Sequence, residues 1–161
     1  AYKIELLMNK AGVTTKDRKV VEAALRRAEE TGHTAAALEL PDGRVITGKT
    51  SELMGACSAL LIKALKVLAD IDRDVLLITP NVIMPIQKLK VNYLGSRNPR
   101  LHMEEVLIAL SASSESNEVA DLALRQLPHL RGSQVHTSRM LSDTDEKTFQ
   151  KLGVMLTSEP R

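Results

Sequence analysis

Residues 39–71, ELPDGRVITGKTSELMGACSALLIKALKVLADI, constrain the fold more than any other stretch of the chain. They open on a strand end, turn at Pro41-Asp42-Gly43 and run through β-branched residues at 44–47. A helical pattern follows over residues 51–70. Its apolar positions, Leu53, Met54, Cys57, Leu60, Leu61, Ala64, Leu65 and Leu68, spread over more than one face, and Glu52, Lys63 and Lys66 are its only charges before Asp70. An apolar arc that wide predicts a helix buried on several sides.

The same stretch holds a nucleotide-binding pattern. Gly43-Arg44-Val45-Ile46-Thr47-Gly48-Lys49-Thr50 satisfies G-x-x-x-x-G-K-[ST] at every required position. A phosphate loop curls so that successive backbone N–H groups point at phosphate oxygens, and it links a buried strand to a helix. Here Arg-Val-Ile-Thr between the glycines favours extended backbone instead. Asp42-Gly43 is a hairpin turn signal between strand-like runs at 34–40 and 44–48. The apolar run at 75–79 ends in Thr79, where a magnesium-holding loop would want Asp. The hairpin is the preferred reading, and nucleotide binding through residues 43–50 is the lesser one.

A length of 161 residues predicts one domain, or one and a small appendage, and is enough to bury a core. Aromatic residues make up only 2% of it, so Leu, Ile, Val, Ala and Met must fill that core and base stacking has almost nothing to work with. A net charge of +2 argues against a broad nucleic-acid surface. Cys57 is the single cysteine, which excludes an internal disulfide and suits the cytoplasm. A small buried hydrophobe explains it better than a nucleophile. The longest apolar run, residues 53–62, is about half a membrane span. The chain begins without Met and enters a helical pattern almost at once, which points to a fragment of something larger.

Taken in order, Ile4, Leu7, Met8 and Ala11 predict a short amphipathic helix stopped by Gly12. Thr14 with Asp17 caps a helix to Thr31. These two form an N-terminal helical segment, residues 1–32. An α/β domain, residues 33–161, follows with a helical insertion at about 82–130. Residues 75–79 read as a central strand, and a helix runs from Pro80 to about Leu94, with Pro85 tolerable only in its first turn. Asn98-Pro99 reads as an N-cap and first helical residue, launching a helix through Val106 and Leu110. Further helices are expected at 118–127 and from the Ser142–Asp145 cap to Gly153, with strands at 134–141 and 154–157. The order is hairpin, long helix, strand, helical block, strand, helix, strand. It predicts an α/β sandwich around a mixed sheet of about five strands.

In such folds ligands gather where strand ends meet helix starts. Three points qualify: Lys49-Thr50-Ser51-Glu52, Thr79-Pro80-Asn81, and Arg97-Asn98-Pro99-Arg100-Leu101-His102. The first and third place cations at an expected helix start, where the macrodipole disfavours them. Two readings stay open. A phosphate or carboxylate ligand occupies the cleft, or the cations pair with acids elsewhere or with a neighbouring subunit. The candidate ligand contacts are Lys49, Thr50, Arg97, Asn98, Arg100 and His102, with Ser51, Glu52 and Asn81 as polar walls. His33, His129 and His136 read as loop and strand residues, and no pair has metal-ligand spacing, so neither a metal nor a cofactor is expected. Serines 51 and 111–116 lack the G-x-S-x-G elbow of a hydrolase.

The order of elements resembles the cytidine-deaminase-like architecture. In that family H/C-x-E opens the first helix and P-C-x-x-C the second. The matching positions here are Thr50-Ser51-Glu52 and Pro80-Asn81-Val82-Ile83-Met84. Glu52 and Pro80 are retained, whereas Thr50, Asn81 and Met84 stand at the ligand places and cannot make the zinc site that activates water. The resemblance implies a zinc-free binding pocket.

A second resemblance covers most of the chain. Leu94-Gly95-Ser96-Arg97-Asn98-Pro99-Arg100-Leu101-His102, the run from Glu105 to Ser111, His136-Thr137-Ser138, Leu152-Gly153-Val154 and Leu156-Thr157-Ser158-Glu159-Pro160 are similar to an uncharacterised bacterial family, domain of unknown function 1846. Its members are about three times as long, and the similarity is to their C-terminal portion. The resemblance implies that the rest of a longer chain is this domain's first partner. It also implies Cys in many relatives where Ser133 stands here. The expectation is an accessory domain contributing to an anionic-ligand cleft of a larger cytosolic protein, for a phosphorylated small molecule. Nucleic acid and membrane are not expected partners. The competing expectation is an assembly domain, forming homo-oligomers with no ligand of its own.

Overall fold

The computed structural model of the chain describes residues 19–160; the amphipathic pattern at residues 4–11 and the Thr14–Asp17 cap lie outside them. Among the described residues six helices and four strands follow in order: α1 (Lys19–Thr31), β1 (Ala35–Glu39), β2 (Val45–Lys49), α2 (Ala56–Leu68), α3 (Pro80–Lys88), α4 (Met103–Ser114), α5 (Glu118–Leu124), β3 (Gln134–Thr137), α6 (Asp143–Leu152) and β4 (Met155–Ser158). A π-helical turn, Leu89–Tyr93, extends α3, and a 3-10 turn, Leu127–Leu130, leads towards β3.

The sheet runs β2-β1-β3-β4. β1 is antiparallel to both neighbours and β3 is parallel to β4, so the sheet is mixed as expected. β1 reads Ala-Ala-Ala-Leu and is buried on both faces because helices cover both. Ala37 joins Val20, Val21 and Ala24 of α1 on one face. Ala36, Leu38, Ile46 and Val135 join the main core on the other, with Leu60, Leu61 and Leu65 of α2, Leu110 of α4 and Phe149 of α6. Gly48, opposite Ala36, lies directly under α2. A Cβ there would meet Leu60 N at 2.6 Å and Ala56 O at 2.8 Å, so the glycine sets how closely the helix rests on the sheet.

The hairpin reading of residues 43–50 holds. Val45–Lys49 pairs with β1 in register, Leu38 opposite Ile46, and its backbone is extended rather than curled. With even-numbered positions bonded to β1, the run has no concave row of N–H groups, and the nucleotide reading falls.

Four expectations need correction. Residues 75–79 are not a strand, so the sheet has four strands rather than five. Leu77 and Ile78 are buried but Val75 and Leu76 are exposed, and the Val75 N–H bonds back to Asp72 O in a turn. Two anchors in an irregular segment satisfy the apolar run without a ladder. The deaminase-like order thereby loses the strand between its two helices. Next, α2 starts at Ala56 rather than Ser51, because residues 51–54 form a turn in which Ser51 Oγ accepts from Leu53 N and Met54 N. Then α4 starts at Met103 and its N-cap is His102, not Asn98. Asn98 Oδ1 accepts from Arg100 N at 3.1 Å, a local turn that keeps Pro99 out of a helix. Finally, Pro85 is exposed and sits in the second turn of α3, later than expected.

Candidate functional site

The approaches to α2 and α4 are stitched together. Met54 and Leu101 form a parallel bridge. Leu101 N donates to Leu53 O at 3.0 Å, Gly55 N donates to Leu101 O at 3.2 Å, and the buried Ser58 hydroxyl donates to the same carbonyl at 2.9 Å. Arg100 Nε closes the seam on Ser51 O at 2.6 Å. Across from this seam, β3 runs into a loop at residues 138–141 and α6 begins at the N-cap Ser142, whose hydroxyl accepts from Asp145 N. The expected strand over 134–141 is only Gln134–Thr137. Its end turns away when the Ser138 hydroxyl accepts from Ala35 N and Thr137 Oγ1 donates to Arg139 O.

Between these walls lies a cleft of about 290 Å³ onto which the starts of α2, α4 and α6 all open. Gly55, Ala56 and Cys57 form its α2 side, Arg100 and His102 its α4 side, and Arg139, Ser142 and Asp145 its α6 side. Thr34, Thr50 and Thr137 contribute hydroxyls from the strand ends.

The three helix starts are not electrostatically equal. α4 is closed by carboxylates: Glu105 Oε1 accepts from His102 N at 2.8 Å and Asp145 Oδ1 accepts from Met103 N at 3.0 Å. α6 carries Asp143, Asp145 and Glu146 in its first turn. α2 has neither feature. Its N-cap is Gly55, no side chain caps it, and its first turn holds no acid. Beyond the Gly55 N–H, which Leu101 O accepts, no partner among the described residues caps the first N–H groups of this helix, and Ala56 and Cys57 line the cleft with the partial positive charge of a helix start.

Protonation follows from these surroundings. Burial pushes the Asp145 carboxyl above its ordinary range, opposed by the Met103 N–H and the nearby His102. Burial would raise Glu105 too, but the His102 N–H and the hydrogen bond from Lys90 outweigh it and hold Glu105 below its usual value. Burial, then the charge on Asp145, raises the Cys57 thiol well above normal, which makes it a poor nucleophile.

Of the expected contacts, Thr50, Asn98, Arg100 and His102 line this cleft and Lys49, Ser51, Glu52, Asn81 and Arg97 do not. Lys49 stands opposite Ala35, on the register that faces α1, so its side chain leaves the sheet on the far side from α2. Glu52 and Asn81 are exposed, and the Glu52 carbonyl is taken by Gln87 Nε2. Arg97 is exposed in the loop. Nor do Lys49, Arg97 and Arg100 occupy the first turn of a helix, so no macrodipole rule is broken at the positions expected. Gly55 and Arg139 escaped the sequence reading, and Ser142 and Asp145 entered it as a helix cap and not as cleft residues. The pair Gly55-Ala56 inside an apolar helical pattern was the available sign, since small residues at a helix start leave its backbone approachable. Among the described residues no cluster of three or more His, Cys, Asp or Glu is placed to hold a metal, and no helix is long and apolar enough to cross a membrane.

The chain is 52% identical over 158 residues to a UPF0371 protein of Streptococcus thermophilus, 54% identical over 159 residues to one of Corynebacterium urealyticum, and 51% identical over 158 residues to one of Streptococcus pyogenes. These alignments cover 98–99% of this chain but 32% of each relative, so it spans about a third of the length of the curated relatives it matches. Residues 16–161 match the family described as domain of unknown function DUF1846, C-terminal, and to that family this chain belongs.

Proposed function

We propose that the cleft binds a small anion, the phosphate or carboxylate group of a phosphorylated or acidic metabolite, and that in the longer family proteins it forms one part of a larger ligand site. The observation that carries this reading is the uncapped start of α2. Alone among the three helix starts it has neither a side-chain or carboxylate cap nor an acid in its first turn, and Arg100 and Arg139 flank it with no ion pair to an acid among the described residues. An anion there would meet backbone donors, a helix dipole and two guanidinium groups at once. Asp145, the acid among the lining residues and already engaged by the Met103 N–H, limits how much negative charge the far wall accepts.

Thermal shift of the purified chain with inorganic phosphate, nucleotides and sugar phosphates tests the proposal. A ligand at a hundredfold excess over its Kd stabilises the fold by about 2.7 kcal/mol. That gain should vanish in Arg100→Ala. If none of these anions raises the melting temperature, or the variant responds as the wild type does, the reading is wrong.

A second reading, an assembly domain, draws on a different surface. Met84, Leu89, Tyr93 and Leu94 on α3 and its π-helical extension are all exposed, with Tyr93 and Leu94 each 71% accessible. Multi-angle light scattering decides it: a mass that rises with concentration and returns to one chain in Tyr93→Asp supports assembly.

A further inference from the structure

We propose that the free edge of β2 receives an extended, acidic segment of a partner chain as an added strand. Among the described residues β2 is the end strand of the sheet. Leu40 N donates to Arg44 O and Thr50 N donates to Thr34 O, which fixes the even-numbered residues of β2 as those bonded to β1. By the alternation of an antiparallel ladder, Val45, Thr47 and Lys49 direct their N–H and C=O groups away from the sheet. Among the described residues none of these outward groups has a partner. The result is an open template five residues long, built from the β-favouring run Val-Ile-Thr-Gly-Lys.

Charge selects what can pair there. α1 and α2 lie on opposite faces of the sheet, and their cations gather with Lys49 around the β2 side. Lys63 of α2 is depressed by burial first and then by the charges of Arg27, Arg73, Lys49 and Lys66. Lys49, Lys63 and Arg73 make no ion pair with an acid among the described residues. Arg27 reaches Glu30 only at 3.8 Å, and its buried Nε has no hydrogen-bond partner. The acids nearby are Asp72 and Asp74, whose charges act on Lys66, Glu30 beside Arg27, and, at the turn end of the strand, Glu39 opposite Val45 and Asp42, which face Lys19 and Arg44. A second copy of this chain would bring its own cations against these and be repelled, whereas Asp and Glu side chains alternating along a strand would meet them. The surplus positive charge that guards the edge against self-pairing is therefore also its specificity for an acidic strand.

The test uses the purified chain and synthetic peptides about eight residues long, one alternating Val and Glu, the other Val and Lys. Fluorescence anisotropy reads binding, and amide hydrogen exchange by NMR reads its location. The Val/Glu peptide should bind, weaken as salt is added, and slow exchange at Val45, Thr47 and Lys49 by about tenfold or more at saturation. Thr47→Pro removes an outward N–H without touching the β1 ladder and should abolish binding. The double variant Lys49→Glu, Lys63→Glu should transfer the preference to the Val/Lys peptide, and it decides the matter should the proline variant fail to fold. Binding of neither peptide, equal binding of both, protection confined to β4, or association of two copies through β2 would each overturn the proposal.

Discussion

Two glycines carry opposite duties at the two ends of one contact. Gly48 has backbone of α2 within 3 Å of where a Cβ would stand, and helix and strand backbones cannot move aside as a flexible side chain does. Gly48→Ala should therefore cost about 1–3 kcal/mol in urea or thermal unfolding. Gly55 has an ordinary extended conformation, φ −70° and ψ 167°, and nothing within 4 Å of its missing Cβ. Asp at this position would cap α2 from within. Gly55→Asp should raise stability by about 0.5 kcal/mol through the cap and the dipole, while removing the response to phosphate. A variant that is more stable yet no longer binds separates occupation of the helix start from damage to the fold. The two carboxylates that close the start of α4 predict a pH signature as well. Glu105 is held below its ordinary value of 4.5 in the folded state, so its contribution is present above pH 4.5 and drains as the pH falls through the lower, folded value. Asp145, raised above 3.8, works in the opposite sense and disfavours folding as the pH rises through its folded value. Glu105→Gln should flatten the acid limb of a stability–pH profile, and Asp145→Asn should steepen it.

At the level of elements, the arm formed by α3 and its π-helical extension is held by one buried cation. Lys90 has only 8% of its side chain exposed, and it donates to Arg100 O at 2.6 Å and to Glu105 Oε1 at 2.9 Å. It thereby ties the arm to the loop before α4, and the loop in turn to Ser51 through Arg100. Lys90→Met leaves a carbonyl and a carboxylate short of their donor, at a cost of about 1–3 kcal/mol. The loss should show as faster hydrogen exchange over residues 89–101 before it shows in global unfolding. Residues 88–102 hold four Lys or Arg and no acid, and nothing within that stretch marks Lys90 as a buried one. Its burial follows from Glu105 waiting on a neighbouring element, a partner that no local pattern announces.

Across the whole molecule the two faces of the sheet are unequal. Among the described residues one is covered by α1, through Val20, Val21 and Ala24 on Ala37, and the other by the continuous core of α2, α4, α5 and α6. Stability per element follows buried contact. The amides of α1 should exchange by local opening while those of α2 exchange only with global unfolding, a difference measurable by native-state exchange in low denaturant. Loss of protection from both helices together would contradict this division.

Local chemistry alone determined the hairpin, because Asp42-Gly43 turns and β-branched residues extend whatever surrounds them. It likewise set the Ser142 cap and the Gly153 stop of α6, and the breadth of the apolar face of α2, since capping and helical period act within a few residues. The same reasoning could not tell a buried strand from a buried irregular segment at 75–79, where two apolar anchors look alike in either form. Nor could it place Arg139 and Asp145 beside Arg100. Their meeting depends on β3 lying between β1 and β4, a long-range pairing whose energy resides in contacts between distant residues. Tertiary structure also moved Lys49 from the cleft to the sheet edge, because the side on which a strand residue points is settled only once its register is fixed.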